Sequence, residues 1–354
     1  MREPRRARAF GAINVRFAEA MDAIGAPWPA TVGVSGGSDS LALVLLLREW
    51  ARSRGLPPPV AVCVDHGVRP GSSREARKVA GWLSELGVEG HVLTNRRRVP
   101  SSDIEAACRA LRYELVGRWA EKRKIGTVYV AHTRDDQAET LLLRLARGSG
   151  VDGLAAMRSR GAYPDPSFSR LSLARPLLGF SRQELRDYLE AEGQPWVEDP
   201  MNLDPRFARA RVRKAWPQLQ ELGLTPPRLA EAAAHLGRAR EALDIATQAV
   251  AARVFRKCRQ GIALDRAALM GAPHEMALRA LARVLMLVGK KPYRPRFERL
   301  TALFECIAAD GIGNGRTLHG CRIAPAPRKS AVFGSNTLVI QAEKPRGTVG
   351  KAKS

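Results

Sequence analysis

From about residue 30 to residue 150, short apolar runs alternate with longer amphipathic stretches, and this alternation limits the possible folds more than any other feature. Ala30 to Val34 is short and apolar, as a buried strand is. A Gly- and Ser-rich turn follows, then an apolar helix predicted from Leu41 to about Arg52. Val60 to Val64 repeats the strand pattern. Arg74 to Leu86 repeats the helix pattern, with Val79, Trp82, Leu83 and Leu86 on one face. His91 to Leu93, Ile104 to Lys122, Thr127 to Ala131 and Gln137 to Leu145 continue as strand, helix, strand and helix. Strands separated by helices of this length build βαβ units, whose parallel sheet is covered on both faces. The spacing therefore predicts an α/β domain.

The rest of the chain reads differently. A Gly- and Pro-rich stretch over roughly 147–179 predicts loop with short strands. Ser181 to Glu192 reads as a helix, with Ser181 as N-cap and Glu184 placed for a capping box. Pro200 to Trp216 is basic. Beyond Pro226 an Ala- and Leu-rich pattern predicts helices over 228–258, about 274–288 and 294–309, and from Gly311 short β-prone runs such as Thr337 to Gln341 appear. With 354 residues the chain exceeds one ordinary core. The expected division is a basic extension 1–28, a catalytic domain 29–219, a smaller helical domain 220–310, a β-prone segment 311–343 and a disordered tail 344–354.

Lys and Arg number 58 against 35 Asp and Glu, a formal +23 with a pI near 10.8. Such an excess repels itself in the folded state, whereas a polyanion partner uses it through counterion release. A membrane partner is disfavoured, because no apolar run approaches eighteen residues and no basic amphipathic helix carries a bulky aromatic face. The five cysteines, Cys63, Cys108, Cys258, Cys306 and Cys321, are scattered, so no CxxC metal or redox motif exists and no redox cofactor is expected. Free thiols and an N-terminus without an apolar h-region point to the cytoplasm.

The strongest local signal is Ser35-Gly36-Gly37-Ser38-Asp39-Ser40, between the strand TVGV and the helix LALVLLL. Gly36 and Gly37 let the backbone take positive φ and approach an anion. The turn's N–H groups and the positive end of the helix dipole would cradle phosphates, with Ser35, Ser38 and Ser40 adding hydroxyls and Asp39 an acid for Mg²⁺. No Gly-Lys-Ser/Thr follows and the GxGxxG spacing is absent, so this is neither a Walker A loop nor a dinucleotide fingerprint. The bland reading is a Gly/Ser turn with Asp39 as a cap. SGGSDS closely resembles the PP-loop of N-type ATP pyrophosphatases, which implies a Rossmann-like parallel-sheet domain and cleavage of ATP to AMP and pyrophosphate.

Further segments narrow the resemblance. Val64-Asp65-His66-Gly67-Val68-Arg69 follows the second strand. Glu105, Arg109, Arg112 and Tyr113 share a helix; Glu105 and Arg109 suit a surface ion pair, while Arg112 has Cys108 at i−4 and is freer to face a substrate. Ala131-His132-Thr133-Arg134-Asp135-Asp136-Gln137-Ala138-Glu139-Thr140 opens a helix, where adjacent acids also suit simple capping. Arg144-Leu145-Ala146-Arg147-Gly148-Ser149-Gly150 comes next, then Arg175-Pro176-Leu177-Leu178, the SRQEL helix, Trp196 to Asp199, and Asn202-Leu203-Asp204. In this order the segments resemble the tRNA(Ile)-lysidine synthetase family over about 30–219, and a TLHGCRI segment is similar to the C-terminal part of some members. One departure stands out: the family commonly has a second His where this chain has Thr133.

The resemblance implies that the C2 oxygen of the wobble cytidine, in the CAU anticodon of tRNA(Ile), attacks the ATP α-phosphate. The ε-amine of free L-lysine then displaces AMP. It implies ATP with Mg²⁺, a phosphate cradle at residues 35–40, and Arg112, His132, Asp135 and Asp136 around the α-phosphate and lysine, with Asp39, Arg112, His132 and Asp136 catalytic. Arg206, Arg209, Arg211 and Arg213, uninterrupted by acids, are expected to hold tRNA, together with the helical domain; Arg96-Arg97-Arg98 reads as a solvated charge run. A homodimer stays open. Two alternatives compete. A PP-loop tRNA thiolase would need a persulfide or cluster cysteine, and a non-catalytic RNA-binding protein would release no pyrophosphate.

Overall fold

The computed structural model describes residues 3–25, 27–68, 71–97, 99–100, 104–198, 204–327 and 331–343. Arg69, Arg98, Asp199, Asn202, Leu203, the 344–354 tail and the side chain of Glu105, all raised by the sequence reading, lie outside it. The chain forms two compact units, Met1–Gly237 and Arg238–Ser354. Among the described residues no helix is long and apolar enough to cross a membrane.

The first unit opens with α1 (Glu3–Ile24), then β1 (Thr31–Val34), α2 (Ser38–Ser53), β2 (Val60–Asp65), α3 (Ser72–Glu85), β3 (Gly90–Thr94), α4 (Ile104–Lys122), β4 (Thr127–Tyr129) and α5 (Arg134–Leu145). The short α6 (Val151–Leu154), β5 (Arg160–Ala162) and β6 (Ser172–Ala174) fill the Gly/Pro-rich stretch. Then come α7 (Arg182–Glu192), α8 (Ala208–Lys214), α9 (Trp216–Glu221) and α10 (Pro226–Val254), which continues into the second unit. The sheet order is β3-β2-β1-β4-β6-β5, parallel except for the β5–β6 pair.

Residues 41–47 of α2 are all buried, so this helix is covered on every side. It packs with α1, α3 and α7 in one core, through Phe17, Met21, Val79, Leu83, Leu185 and Leu189. Each fully buried leucine contributes roughly 1.5–3 kcal/mol. The opposite face of the sheet is closed by Tyr113, Val116 and Ala120 of α4, with Phe168 and Leu173. The segment read as a basic extension is therefore largely a core helix: Ile13, Phe17, Met21 and Ile24 recur at helical spacing and are buried. Arg16 ties it down, pairing with Glu184 at 2.6 Å and lying over the Phe180 ring at 4.5 Å.

The second unit is not helical alone. Within the stretch expected to be helix to 258, the chain leaves α10 at Val254 and forms β7 (Phe255–Cys258), and β8 (Gly261–Asp265) follows it. After α11 (Arg266–Met270), α12 (His274–Gly289) and α13 (Phe297–Ala308) come β9 (Arg316–Leu318), β10 (Cys321–Pro325) and β11 (Thr337–Ala342). They join in an antiparallel sheet, β7-β8-β11-β10-β9, in which β8 pairs with β11 from the far end of the chain. The β-prone end and the helices thus share one core, with Leu281, Leu285 and Ile307 packed against Ile323 and Ile340.

Candidate active site

Strand order reverses at β1, which pairs with β2 on one side and β4 on the other. Connections leaving such a point diverge and open a crevice at the carboxyl ends of the strands, where α/β proteins bind ligands. The segments that leave β1 and β4 here are Ser35 to Ser40 and Val130 to Thr133, so two motifs far apart in sequence meet.

In the first, Gly36 has φ +87°, and a Cβ there would lie 2.6 Å from Val79 Cγ2. Conformation and space both require glycine. Gly37 departs from the expectation of positive φ: at φ −74° and ψ 163° it is extended and forms the N-cap of α2, which begins at Ser38, three residues before its apolar run. Ser40 is an internal brace. Its hydroxyl donates to Gly37 O at 2.9 Å and accepts from Ser35 N at 3.2 Å. Val197 N donates to Gly36 O at 2.9 Å, fastening the segment after α7 to the loop. The N–H groups of Ser38, Asp39 and Ser40 lack intrahelical acceptors and, with the helix dipole, form an anion cradle.

The second segment is organised by Thr133. It is fully buried and caps α5, accepting from Asp136 N at 3.3 Å, while its own N–H and hydroxyl donate to Asp136 Oδ2 at 2.8 and 3.0 Å. Where the family commonly has an imidazole, this chain has an N-cap worth about 1 kcal/mol that also aims a carboxylate. The cap explains why α5 starts at Arg134, earlier than the apolar pattern indicated.

Arg182, the first residue of α7, ties the two segments together. Its guanidinium lies 3.4 Å from Asp39 Oδ2, 2.6 Å from Asp136 Oδ1 and 2.6 Å from Glu139 Oε1, and its backbone N–H donates to Asp135 Oδ2 at 3.0 Å. Arg209 reaches Asp136 Oδ1 at 3.1 Å, and Arg213 reaches Glu139 Oε1 at 2.8 Å. Sequence reading assigned Arg209 and Arg213 to RNA as members of an acid-free run. The acids that partner them lie more than seventy residues away on α5. Arg206 pairs with Asp204 at 2.6 Å, and Arg211 donates to the carbonyls of Pro205 and Arg206. Arg182 and Glu139 went unassigned, although three acids on one face of α5 require cations, and SRQEL supplies one.

Burial pushes the Asp39 carboxyl up to about 6, with Asp136 and Asp135 adding repulsion and Arg182 opposing. Burial also works against ionisation of Asp136, but Arg182 and Arg209 outweigh it and hold that carboxyl below its usual range. Burial drives His132 down to about 3, leaving a neutral imidazole whose Nδ1 is buried without a hydrogen-bond partner. Asp136 opposes this, while Arg175, Arg209 and Arg109 press the same way as burial, and the buried Arg175 Nε is likewise unpartnered. Three arginines around a neutral imidazole suit a phosphate. The structure brings Asp39, His132, Asp135 and Asp136 together. Arg112 is exposed and bears on His66, Cys63 and Cys108 beside β2; burial first, then Arg112, lowers His66 to about 4.

A family described as PP-loop domain matches residues 15–219. With the fold and the loop, this defines an ATP-using enzyme of the PP-loop class. Curated relatives carry the identification further. The tRNA(Ile)-lysidine synthase of Zymomonas mobilis is 37% identical over 321 residues, covering 85% of this chain and 90% of the relative. Those of Methylobacterium sp. (strain 4-46) and Ruegeria pomeroyi are 41% and 39% identical, over 78% and 82% of this chain and 78% and 70% of the relatives. The chain belongs to the tRNA(Ile)-lysidine synthase family. Among solved structures, the U34-tRNA thiolase NcsA from Methanococcus maripaludis, with its [4Fe-4S] cluster, is similar over 67% of this chain and 80% of its own, at TM-score 0.51 and 18% identity, a likeness of fold alone.

Proposed function

We propose that this chain is an ATP-dependent ligase that joins the ε-amine of free L-lysine to C2 of the wobble cytidine in the CAU anticodon of tRNA(Ile). The cytidine C2 oxygen bonds to the α-phosphorus as pyrophosphate leaves; the amine then bonds to C2, loses a proton, and AMP leaves. The observation that carries this reading is the meeting of the phosphate cradle with His132, Asp136 and Arg182 at the β1/β4 crevice, in a chain of this family. The loop N–H groups take the phosphates. Arg109, Arg175 and Arg209 offset charge at the α-phosphate, and the neutral His132 offers a hydrogen bond there. Asp136 stays ionised as the negative charge a lysine amine would meet. Positioning and fixed dipoles of this kind supply most of the catalysis such a transfer needs.

Mg²⁺ suits the site. Among the described residues no three His, Cys, Asp or Glu form a cage, and Mg²⁺ is ordinarily held by one or two carboxylates, phosphate oxygens and water. Asp39, half-buried beside two further acids, is a carboxylate that a cation would relieve. When bound, the metal would neutralise phosphate charge.

The cysteines speak against sulfur transfer. Reactive thiols are exposed and acidified, whereas Cys63 is buried with its thiol pushed up to about 11, by burial first and then by Asp65. Burial raises Cys108 too. The double change Cys63→Ala, Cys108→Ala is expected to retain lysine transfer with only packing losses. Sulfur entering tRNA without lysine, and lost in that variant, would favour the thiolase.

RNA holding falls to fewer residues of the first unit than the charge run suggested. Arg211 keeps the proposed role there, and so does Arg206, whose pair with Asp204 is exposed whereas those of Arg209 and Arg213 are not. The second unit, with 22 Lys and Arg against 8 Asp and Glu, supplies most of the excess charge and the larger part of the salt-dependent binding. Pyrophosphate release from ATP that depends on added tRNA tests the reading; a pure RNA binder releases none.

A further inference from the structure

Among the described residues only two Phe, Tyr or Trp side chains are exposed, Tyr293 at 62% and Phe297 at 65%. They stand four positions apart where α12 connects to α13, so their Cα atoms are at most about 14 Å apart. Exposed apolar residues scattered singly are ordinary; these two share a segment that is otherwise cationic. Over 290–299 the chain carries Lys290, Lys291, Arg294, Arg296 and Arg299 against one acid, Glu298. Arg294 has a partner of its own and is set aside. Lys290, Lys291, Arg296 and Arg299 form no ion pair among the described residues, and all but the half-buried Lys291 are exposed.

The connection is held in shape. Pro292 and Pro295 fix φ at two of its positions, and Pro295 is buried. Lys290 closes α12 in the left-handed conformation, at φ +51°. The β9–β10 turn, His319 and Gly320, packs against this end of α12, so close that a Cβ at Gly289 would collide with His319 O. The Tyr293 ring meets the His319 ring edge to face, at 5.2 Å and 87°. Tyr293 therefore has little freedom left to lose when it is covered. Aromatic rings in water, set among unpaired cations, are the two parts of a site for single-stranded nucleic acid: the cations meet phosphates and the rings take base faces. A second copy of this chain seated here about a two-fold axis would set these cations against their own kind. We propose that the α12–α13 connection is a stacking platform for an unpaired nucleotide of the tRNA, with Tyr293 and Phe297 against the base and Lys290 and Arg296 against the flanking phosphates. The platform rests on the reading of tRNA as substrate.

The test measures binding of tRNA, of a single-stranded RNA oligonucleotide and of a fully paired RNA duplex against salt. It compares the intact protein with Tyr293→Ala, Phe297→Ala, Phe297→Trp and Arg296→Ala. Alanine at either ring position is expected to weaken tRNA and single-strand binding roughly five-fold or more, with the salt slope and the duplex affinity kept. Arg296→Ala should instead flatten the slope of log K against log salt by about 0.7 unit. Phe297→Trp should keep the affinity and add a fluorescence signal that tRNA quenches. Unchanged tRNA affinity in both alanine ring variants, or equal losses on duplex and single strand, would overturn the proposal. So would a dimer in sedimentation that Phe297→Ala dissociates, which would give the rings to a second copy. If the intact protein transfers no lysine yet the ring variants lose single-strand binding, the ligase reading falls and the platform stands. If it transfers lysine and the ring variants bind tRNA as before, the platform alone falls.

Discussion

Asp39→Asn is expected to abolish pyrophosphate release and, at the same time, to raise the thermal stability of the ligand-free protein at neutral pH. Asp39 has lost most of its water and sits near Asp136 and Asp135, so its folded pKa of about 6 exceeds the ordinary value near 4. A carboxyl raised in this way binds its proton more tightly folded than unfolded. Stability therefore declines as pH rises from about 4 to 6 and stays at the lower level above. Two pK units correspond to about 3 kcal/mol, an upper figure for what the neutral, isosteric Asn recovers. The gain should be complete above pH 6, shrink as pH falls through 6, and vanish below 4. Thermal unfolding of both proteins from pH 3.5 to 8 checks it. A variant that loses stability at pH 7.5, or keeps near-normal pyrophosphate release, would contradict both the burial of this acid and its place in the phosphate site.

Arg182→Met is expected to be the most damaging single change at the site. One guanidinium stands among three carboxylates, and Glu139 has no exposed surface at all. Arg209 would still serve Asp136 and Arg213 would still serve Glu139. Asp39 would lose the one charge that opposes its protonation. Removing one partner from a buried ionic cluster costs about 3–5 kcal/mol, because the remaining charges stay desolvated. Arg182→Lys keeps the charge but loses the planar fork that spans several acids, so it should fall between. Chemical denaturation with parallel turnover measurements reads both effects. Wild-type stability in the Met variant would mean that the cluster is solvated and does not brace the crevice.

The parallel-sheet half of the molecule was legible because buried strands and amphipathic helices leave opposite marks in sequence, and because SGGSDS sits where a strand must turn into a helix. His132 and Asp136 could be placed for the same reason, by following β4. Several features were hidden by physics that does not act along the chain. The cations of α8 looked free of acids because Asp136 and Glu139 reach them only through the tertiary fold. β7 was absorbed into the helical pattern that runs to 258, and β8 went unread because its pairing with β11 is long-range and a short strand has little local signature of its own. The start of α5 was missed because its capping box uses Asp136 where the usual signature has Glu or Gln. The basic character of the first residues drew attention away from Ile13, Phe17, Met21 and Ile24, whose spacing was helical all along.

The central claim is that free lysine, as nucleophile, is joined to one cytidine of one tRNA after that base has been activated by adenylation. Incubating the full chain with ATP, Mg²⁺, labelled L-lysine and bulk bacterial tRNA, then separating the tRNAs and digesting the labelled species to nucleosides, measures it directly. The account predicts label in a single tRNA species, on a cytidine-derived nucleoside, with one pyrophosphate released for each lysine transferred and no transfer when ATP is left out. Label spread over many tRNAs, or ATP cleaved in the presence of tRNA with no lysine joined to it, would contradict the account.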